Sequence, residues 1–164
     1  MGLNIKMKKI DLAYCAGVID SDGSIGIQKK TYSMRVTKDS TQPTYSERIC
    51  VKQVEPQAIE LLFSLFGGCK YLAKPSCKNG KPLYSWQVSD LKASVLLKAI
   101  LPFLKIKRKQ AINCLELRKV KTKSNKYRSR KGRGHVGASF RLQKHSRQME
   151  ELKQKSNQFN KVGK

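Results

Sequence analysis

Hydrophobic positions along the chain follow two periods. From Asp11 to Val18 they are nearly continuous, with small residues at Ala13, Ala16 and Gly17. This predicts a short helix that another helix can approach closely. From Ser24 to Val36 the period drops to two. Ile25 and Ile27 fall on one face and Gln28 and Lys30 on the other, as in a half-buried strand. Thr44 to Val54 alternates as well, with Tyr45, Ile49 and Val51 opposite Ser46, Arg48, Cys50 and Lys52. Glu55-Pro56 then opens a helix, because proline suits a first turn that has no use for its missing amide donor. Ile59, Leu62, Phe63 and Phe66 give that helix an apolar side, and Gly67-Gly68 ends it.

A hairpin follows. Lys70 to Lys74 and Leu83 to Val88 flank a loop containing Asn79-Gly80, a favoured turn pair. Tyr84, Trp86 and Val88 point one way, Ser85 and Gln87 the other. Asp90 is placed to cap the next helix, which carries Leu91, Val95, Leu96, Ile100 and Leu101 and is interrupted at Pro102. Two more helices are expected, over about 105–120 (Ile112, Leu115, Leu117) and 139–155 (Phe140, Met149, Leu152). The order is αββαββα followed by C-terminal helices. It predicts an α+β domain with a four-stranded antiparallel sheet covered by helices on one face. The open face carries Gln, Lys, Arg, Ser, Thr and Tyr. Those side chains suit base edges and phosphates, but also an ordinary solvated sheet.

Charge bears on that choice. The 164 residues include 35 Lys+Arg and 11 Asp+Glu, a net charge of +24. Repulsion of that size opposes compaction and calls for a polyanionic partner, with nucleic acid ahead of a membrane surface. No run of 18 apolar residues crosses a bilayer. The basic segment also lacks the interleaved Trp or Phe of a helix lying on lipid. A hydrophobic content of 39% is enough for a core. The first residues lack the apolar stretch of a signal peptide, and five widely spaced cysteines suit reduced thiols. An intracellular location is expected: cytoplasm, nucleoid or an organelle. Cys69 and Cys77 have no zinc-ligand spacing, and His135 and His145 sit in no metal or triad pattern.

The charge is uneven. Residues 1–117 hold 19 bases and 9 acids, net +10, while residues 118–164 hold 16 and 2, net +14. The expected division is a core over 1–120, a basic glycine-containing loop or arm over 121–138, and a C-terminal helix and tail over 139–164. The arm includes Lys126, Arg128 and Arg130 and is expected to order on phosphates.

The sharpest motif is Tyr14-Cys15-Ala16-Gly17-Val18-Ile19-Asp20-Ser21-Asp22-Gly23-Ser24-Ile25. A small-residue helix runs into Asp-x-Asp-Gly and then a strand. Carboxylates at such a helix end, one from each of two packed helices, can hold hard divalent cations through oxygen. By itself Asp-x-Asp also describes solvated aspartates in a turn. The rest of a calcium loop is missing, since Lys29 and Lys30 occupy the downstream region.

The stretch Cys15 to Gly23 resembles the LAGLIDADG motif of homing endonucleases, with Cys15 in place of the first leucine and Ser21 in place of the alanine. Pro102 to Ala111 is similar to the lysine-rich segment downstream in the small single-motif members. The αββαββα order also fits, and the likeness spans about residues 8–120. It implies site-specific cleavage of double-stranded DNA with Mg²⁺. Asp22 and the backbone carbonyl of Ser21 would be metal ligands, and Asp22, Gln53 and Lys107 the catalytic residues. Gln57 stands where the family sometimes has a basic residue. A second copy of the motif does not occur, which implies a homodimer packed through Ala13, Ala16, Gly17 and Asp20, with Asp20 capping helix ends. Two-fold symmetry then implies a near-palindromic target. DNA contacts are expected from Ser24, Gln28, Lys30, Tyr32, Thr44, Ser46, Arg48, Lys52, Ser85 and Gln87. The alternatives are an RNA-binding maturase that assists intron splicing and a non-catalytic DNA-binding regulator on the same fold.

Overall fold

The computed structural model describes residues 7–30, 43–75, 80–130 and 136–162, and leaves aside the side chains of 124–130, 136–143 and 162. In chain order the elements are α1 (Lys9–Asp22), β1 (Gly23–Lys30), β2 (Thr44–Gln53), α2 (Gln57–Phe66), β3 (Cys69–Ala73), β4 (Leu83–Ser89), α3 (Asp90–Ile100), α4 (Arg108–Arg130) and α5 (Val136–Val162). The expected α+β architecture is present. The strands form one antiparallel sheet in the order β1-β2-β4-β3. Tyr32 and Asn79 lie outside the described residues.

Alternation sorts the sheet into two faces. Ile25 and Ile27, Ile49 and Val51, and Trp86 and Val88 are buried beneath the helices. They meet Ile19 of α1, Ile59 and Leu62 of α2, Leu96, Leu97 and Ile100 of α3, and Leu117 of α4 in one core. Among the described residues, no helix packs over the opposite face. Gly67 and Gly68 turn the chain from α2 into β3 with φ of 64° and 99°, where other residues are strained. The indole nitrogen of Trp86 donates to the Gly67 carbonyl at 2.7 Å and ties that turn to the core.

Three expectations change. Asp90 does not cap α3. It is the first helical residue, has φ 59°, and its carboxylate takes Arg118 and Lys121 from α4. Strand β4 runs straight into α3, so this left-handed residue makes the turn. Leu91 and Val95 face solvent, and α3 instead buries Ala93, Ser94, Leu96, Leu97 and Ile100. Thirdly, α4 continues as helix to Arg130, past the start of the expected loop at 121. No glycine or proline occurs between Arg108 and Gly132, and Lys and Arg are good helix formers. Arg118 donates to the buried Glu47 at 2.6 Å and Lys121 lies 3.7 Å from the same carboxylate, so the middle of α4 is pinned to the sheet.

Helix α5 returns along α4 and covers the edge strand β1. Asn113 donates to the Leu152 carbonyl at 2.9 Å, and the Ile27 amide donates to Ser156 Oγ at 3.1 Å. Glu150 accepts from Lys29 at 2.8 Å and from the Tyr45 hydroxyl. An outward amide of an edge strand is thereby satisfied within the chain.

Candidate active site and nucleic-acid face

The end of α1 is built by reciprocal capping. Asp20 is 8% exposed, and its carboxylate accepts three successive backbone amides: Lys105 at 2.6 Å, Ile106 at 3.2 Å and Lys107 at 2.9 Å. The loop so held returns a cation to the helix. Lys107 Nζ donates to the carbonyls of Ile19 at 2.9 Å, Asp20 at 2.5 Å and Ser21 at 3.2 Å. The Ile19 carbonyl also accepts from the Gly23 amide, those of Asp20 and Ser21 are among the carbonyls a helix C-terminus leaves over, and a cation there suits the helix dipole. Burial lowers the Lys107 pKa, while Asp20 and Asp22 pull the other way.

Asp22, the last residue of α1, is exposed. Gln53, at the end of β2, donates through Nε2 to Asp22 Oδ2 at 2.7 Å. The β1–β2 register explains the meeting: Gly23 lies opposite Val51, so Asp22 comes level with Lys52 and Gln53. Gly23 has an ordinary φ of −86°, and its smallness serves contact. A Cβ there would come 2.7 Å from the Ile19 carbonyl oxygen. Asp22 and Gln53 line a groove of about 480 Å³ together with Tyr14, Lys52 and Gln57. Lys107 is not among its lining residues.

The four residues expected at a helix–helix interface divide. Ala13 and Gly17 are exposed, and a Cβ on Gly17 would meet nothing within 4 Å. Ala16 is fully buried in its own subunit and Asp20 is engaged by the 105–107 loop. Helical spacing is the reason: 13 and 17 share one face, 16 and 20 another. The exposed stripe also includes Ile10, 79% exposed, and Tyr14, 51% exposed, which sequence reasoning missed. Helix α1 is thus apolar on two sides while its own chain buries only one.

Ser24, Gln28 and Lys30 of β1 and Thr44, Ser46, Arg48 and Lys52 of β2 share the open sheet face with Gln87 of β4. Arg48 donates to Gln87 Oε1 at 2.8 Å, so these two are already paired. Ser85 is on the same face but fully buried, between Lys52 and Tyr71 in the register, and this removes it from the accessible set. Tyr71 and Cys69 of β3 also belong to this face and were missed, because Lys70 to Lys74 has no clear alternation. Lys153 of α5 lines a hollow with Ser24, Gln28 and Arg48. No local signal could have placed it there. The side chains of Lys126, Arg128 and Arg130 lie outside the described residues, although their backbone is helical.

No family model matches the sequence, and no curated protein does. The fold does have solved counterparts. The homing endonuclease I-CvuI in complex with its target is 20% identical, covering 93% of this chain and 96% of that one with a TM-score of 0.54. The archaeal intron-encoded homing endonuclease I-Vdi141I complexed with DNA is 17% identical, covering 89% and 86% with a TM-score of 0.57. The DNA-bound meganuclease I-SmaMI is 18% identical with a TM-score of 0.55, and there 87% of this chain covers 43% of the other. The chain therefore has the fold of the LAGLIDADG homing endonucleases.

Proposed function

We propose that the protein is an intron-encoded, intracellular homing endonuclease. It acts as a homodimer and hydrolyses one phosphodiester in each strand of a long pseudo-palindromic DNA target with Mg²⁺. One observation carries the reading: an exposed carboxylate, Asp22, stands at the end of the small-residue helix, held by Gln53, where the open polar sheet face begins. The fold shared with endonucleases described in complex with DNA supports it.

The donor set fits a hard cation. Asp22 offers carboxylate oxygens and Ser21 a backbone carbonyl that already accepts from an ammonium group. Two donors from one chain are too few for an octahedral ion. Asp22 of a second copy and DNA oxygens would supply the rest. Bound there, Mg²⁺ would activate water and stabilise the leaving 3′ oxygen. Gln53 uses its amide nitrogen on Asp22, which leaves its carbonyl oxygen to accept from and orient a water.

Gly17 supports the homodimer. Glycine inside a helix costs about 1 kcal/mol against alanine, and the space around Gly17 is open in the single chain. Close approach of a second α1 gives that glycine a purpose. The dimer would carry 2 × 24 = +48. Two helical turns of duplex hold about 40 phosphates, so binding is steeply salt-dependent.

The test uses wild type and Asp22→Asn on a randomised duplex library with Mg²⁺. Double-strand cleavage by wild type, lost in the variant while duplex binding persists, is the expected result. Equal cleavage by both proteins overturns the site. No cleavage by wild type, with tight binding to structured RNA, would replace this reading with the maturase.

A further inference from the structure

Helices α3 and α4 pack side by side, and each has apolar residues on two sides. Ala93, Leu96, Leu97 and Ile100 of α3 and Ala111, Cys114 and Leu117 of α4 are buried in the core. Helical spacing turns Leu91 and Val95 of α3 and Ile112 of α4 the other way. They are 64%, 53% and 42% exposed. Arg118 Nε of α4 donates to Ser94 Oγ of α3 at 2.9 Å, so the two helices are fixed against each other. Between them lies a hollow of about 490 Å³. Its floor is aliphatic, made by Leu101, Ile112 and Leu115, and its rim is cationic, with Lys98, Lys119 and Lys123.

The chemistry of the hollow selects its occupant. None of the three rim lysines takes part in an ion pair among the described residues. An aliphatic floor offers nothing to a base edge, and no aromatic ring is among the described lining residues for a base to stack on. Floor and rim together fit an apolar ridge flanked by carboxylates. The segments of this chain outside the described residues do not supply one. Residues 1–10 hold no acid, residues 31–42 only Asp39, and residues 131–143 none. A second copy carries the same net charge of +24, so it brings repulsion to a cationic rim.

We propose that the α3–α4 groove docks an amphipathic helix of a partner protein, apolar along one ridge and acidic on both flanks. Leucine-like side chains at helical spacing enter the hollow, and carboxylates meet the rim lysines, as in other helix-in-groove complexes. The groove opens on the outer side of the helix layer, and the polar strand face lies on the other side of the sheet. The two surfaces are thus available at the same time. This goes beyond the endonuclease reading and does not depend on it.

The probe is a labelled helical peptide with leucines along one stripe and glutamates on both flanks. A second peptide of the same composition has its leucines spread around the helix. Fluorescence anisotropy is read with full-length wild type, Val95→Asp, Ile112→Asp and the exposed pair Lys119→Gln/Lys123→Gln, each with its melting temperature. Wild type should bind the striped peptide saturably, and the rearranged one at least ~10-fold more weakly. Val95→Asp and Ile112→Asp should each lose ~10-fold in affinity at an unchanged melting temperature. The double lysine variant should bind more weakly and with less dependence on salt. Equal affinity for the two peptides, or wild-type affinity in Ile112→Asp or in the lysine variant, overturns the proposal. Displacement of the peptide by a DNA duplex or a structured RNA would overturn it in favour of a polyanion surface. A smaller assembly of Ile112→Asp in sedimentation would overturn it in favour of a second copy.

Discussion

Gln53 and Asp22, 31 residues apart, meet through a 2.7 Å hydrogen bond that joins the end of β2 to the end of α1. The bond fixes one carboxylate oxygen of Asp22. It also orients the Gln53 carbonyl oxygen.

Replacing Gln53 by Met keeps the size and removes both functions of the amide. Cleavage should fall by about 10²-fold, while melting and duplex affinity stay close to wild type. A single-turnover assay checks this, and a wild-type rate would separate Gln53 from the reaction.

Glu47 is fully buried and Arg118 is its 2.6 Å partner. Among the described residues, Arg118→Met leaves that carboxylate with Lys121 alone, at 3.7 Å. The expected loss is about 3 kcal/mol, read as a lower urea midpoint. Adding Glu47→Leu to Arg118→Met should restore part of it, because the uncompensated buried charge is then gone.

Asp90 supplies a pH dependence. Burial opposes its ionisation, but hydrogen bonds from Lys121 and Arg118 outweigh that and lower its pKa. A carboxylate depressed in the folded state stabilises above its unfolded value of about 4, and that contribution disappears as pH falls through the folded value. Asp90→Asn should therefore be less stable than wild type near neutrality, and the gap should close in acid. Urea titrations of both proteins across that range would show it; a constant gap would contradict the ion pairs.

Gly17 tests self-association. A Cβ added at Gly17 meets no described atom within 4 Å, and Gly17→Leu removes a poor helix former, so the single chain should not lose stability. Sedimentation should report monomers where wild type forms dimers. A Gly17→Leu dimer of wild-type strength would rule out α1 as the interface.

Burial pushes the Cys15 thiol up to about 11, with Asp11 adding to it, and the Cys114 thiol up to about 12. Both should resist alkylation at neutral pH until the protein unfolds, while exposed Cys69 reacts in the native state. Peptide mapping after a short alkylator pulse distinguishes them.

Much of the fold was legible because strand alternation leaves little freedom. Once Ile49 and Val51 are placed inward, Arg48, Cys50 and Lys52 must face out. Asp22 and Gln53 were singled out through the resemblance to a family motif, and periodicity by itself would not have joined them. Asp90 was not, because whether an aspartate caps its own helix depends on where Arg118 lies, 28 residues on. Nor was the division of Ala13 and Gly17 from Ala16 and Asp20, since a helix apolar on two sides does not announce which side its own core takes. Lys107 was legible only as a cation; its three carbonyl acceptors belong to the end of α1, 86 to 88 residues back along the chain.

The sequence by itself determined the element order, the polar strand face and the carboxylate at a helix end, because each follows from periodicity or spacing within a few turns of chain. Only the tertiary structure decided which carbonyls Lys107 meets, which face of α1 its own core takes, and that Lys153 joins the sheet face. Those outcomes depend on contacts between distant segments, where one register or one helix rotation sets which groups meet, and local pattern contains no record of it.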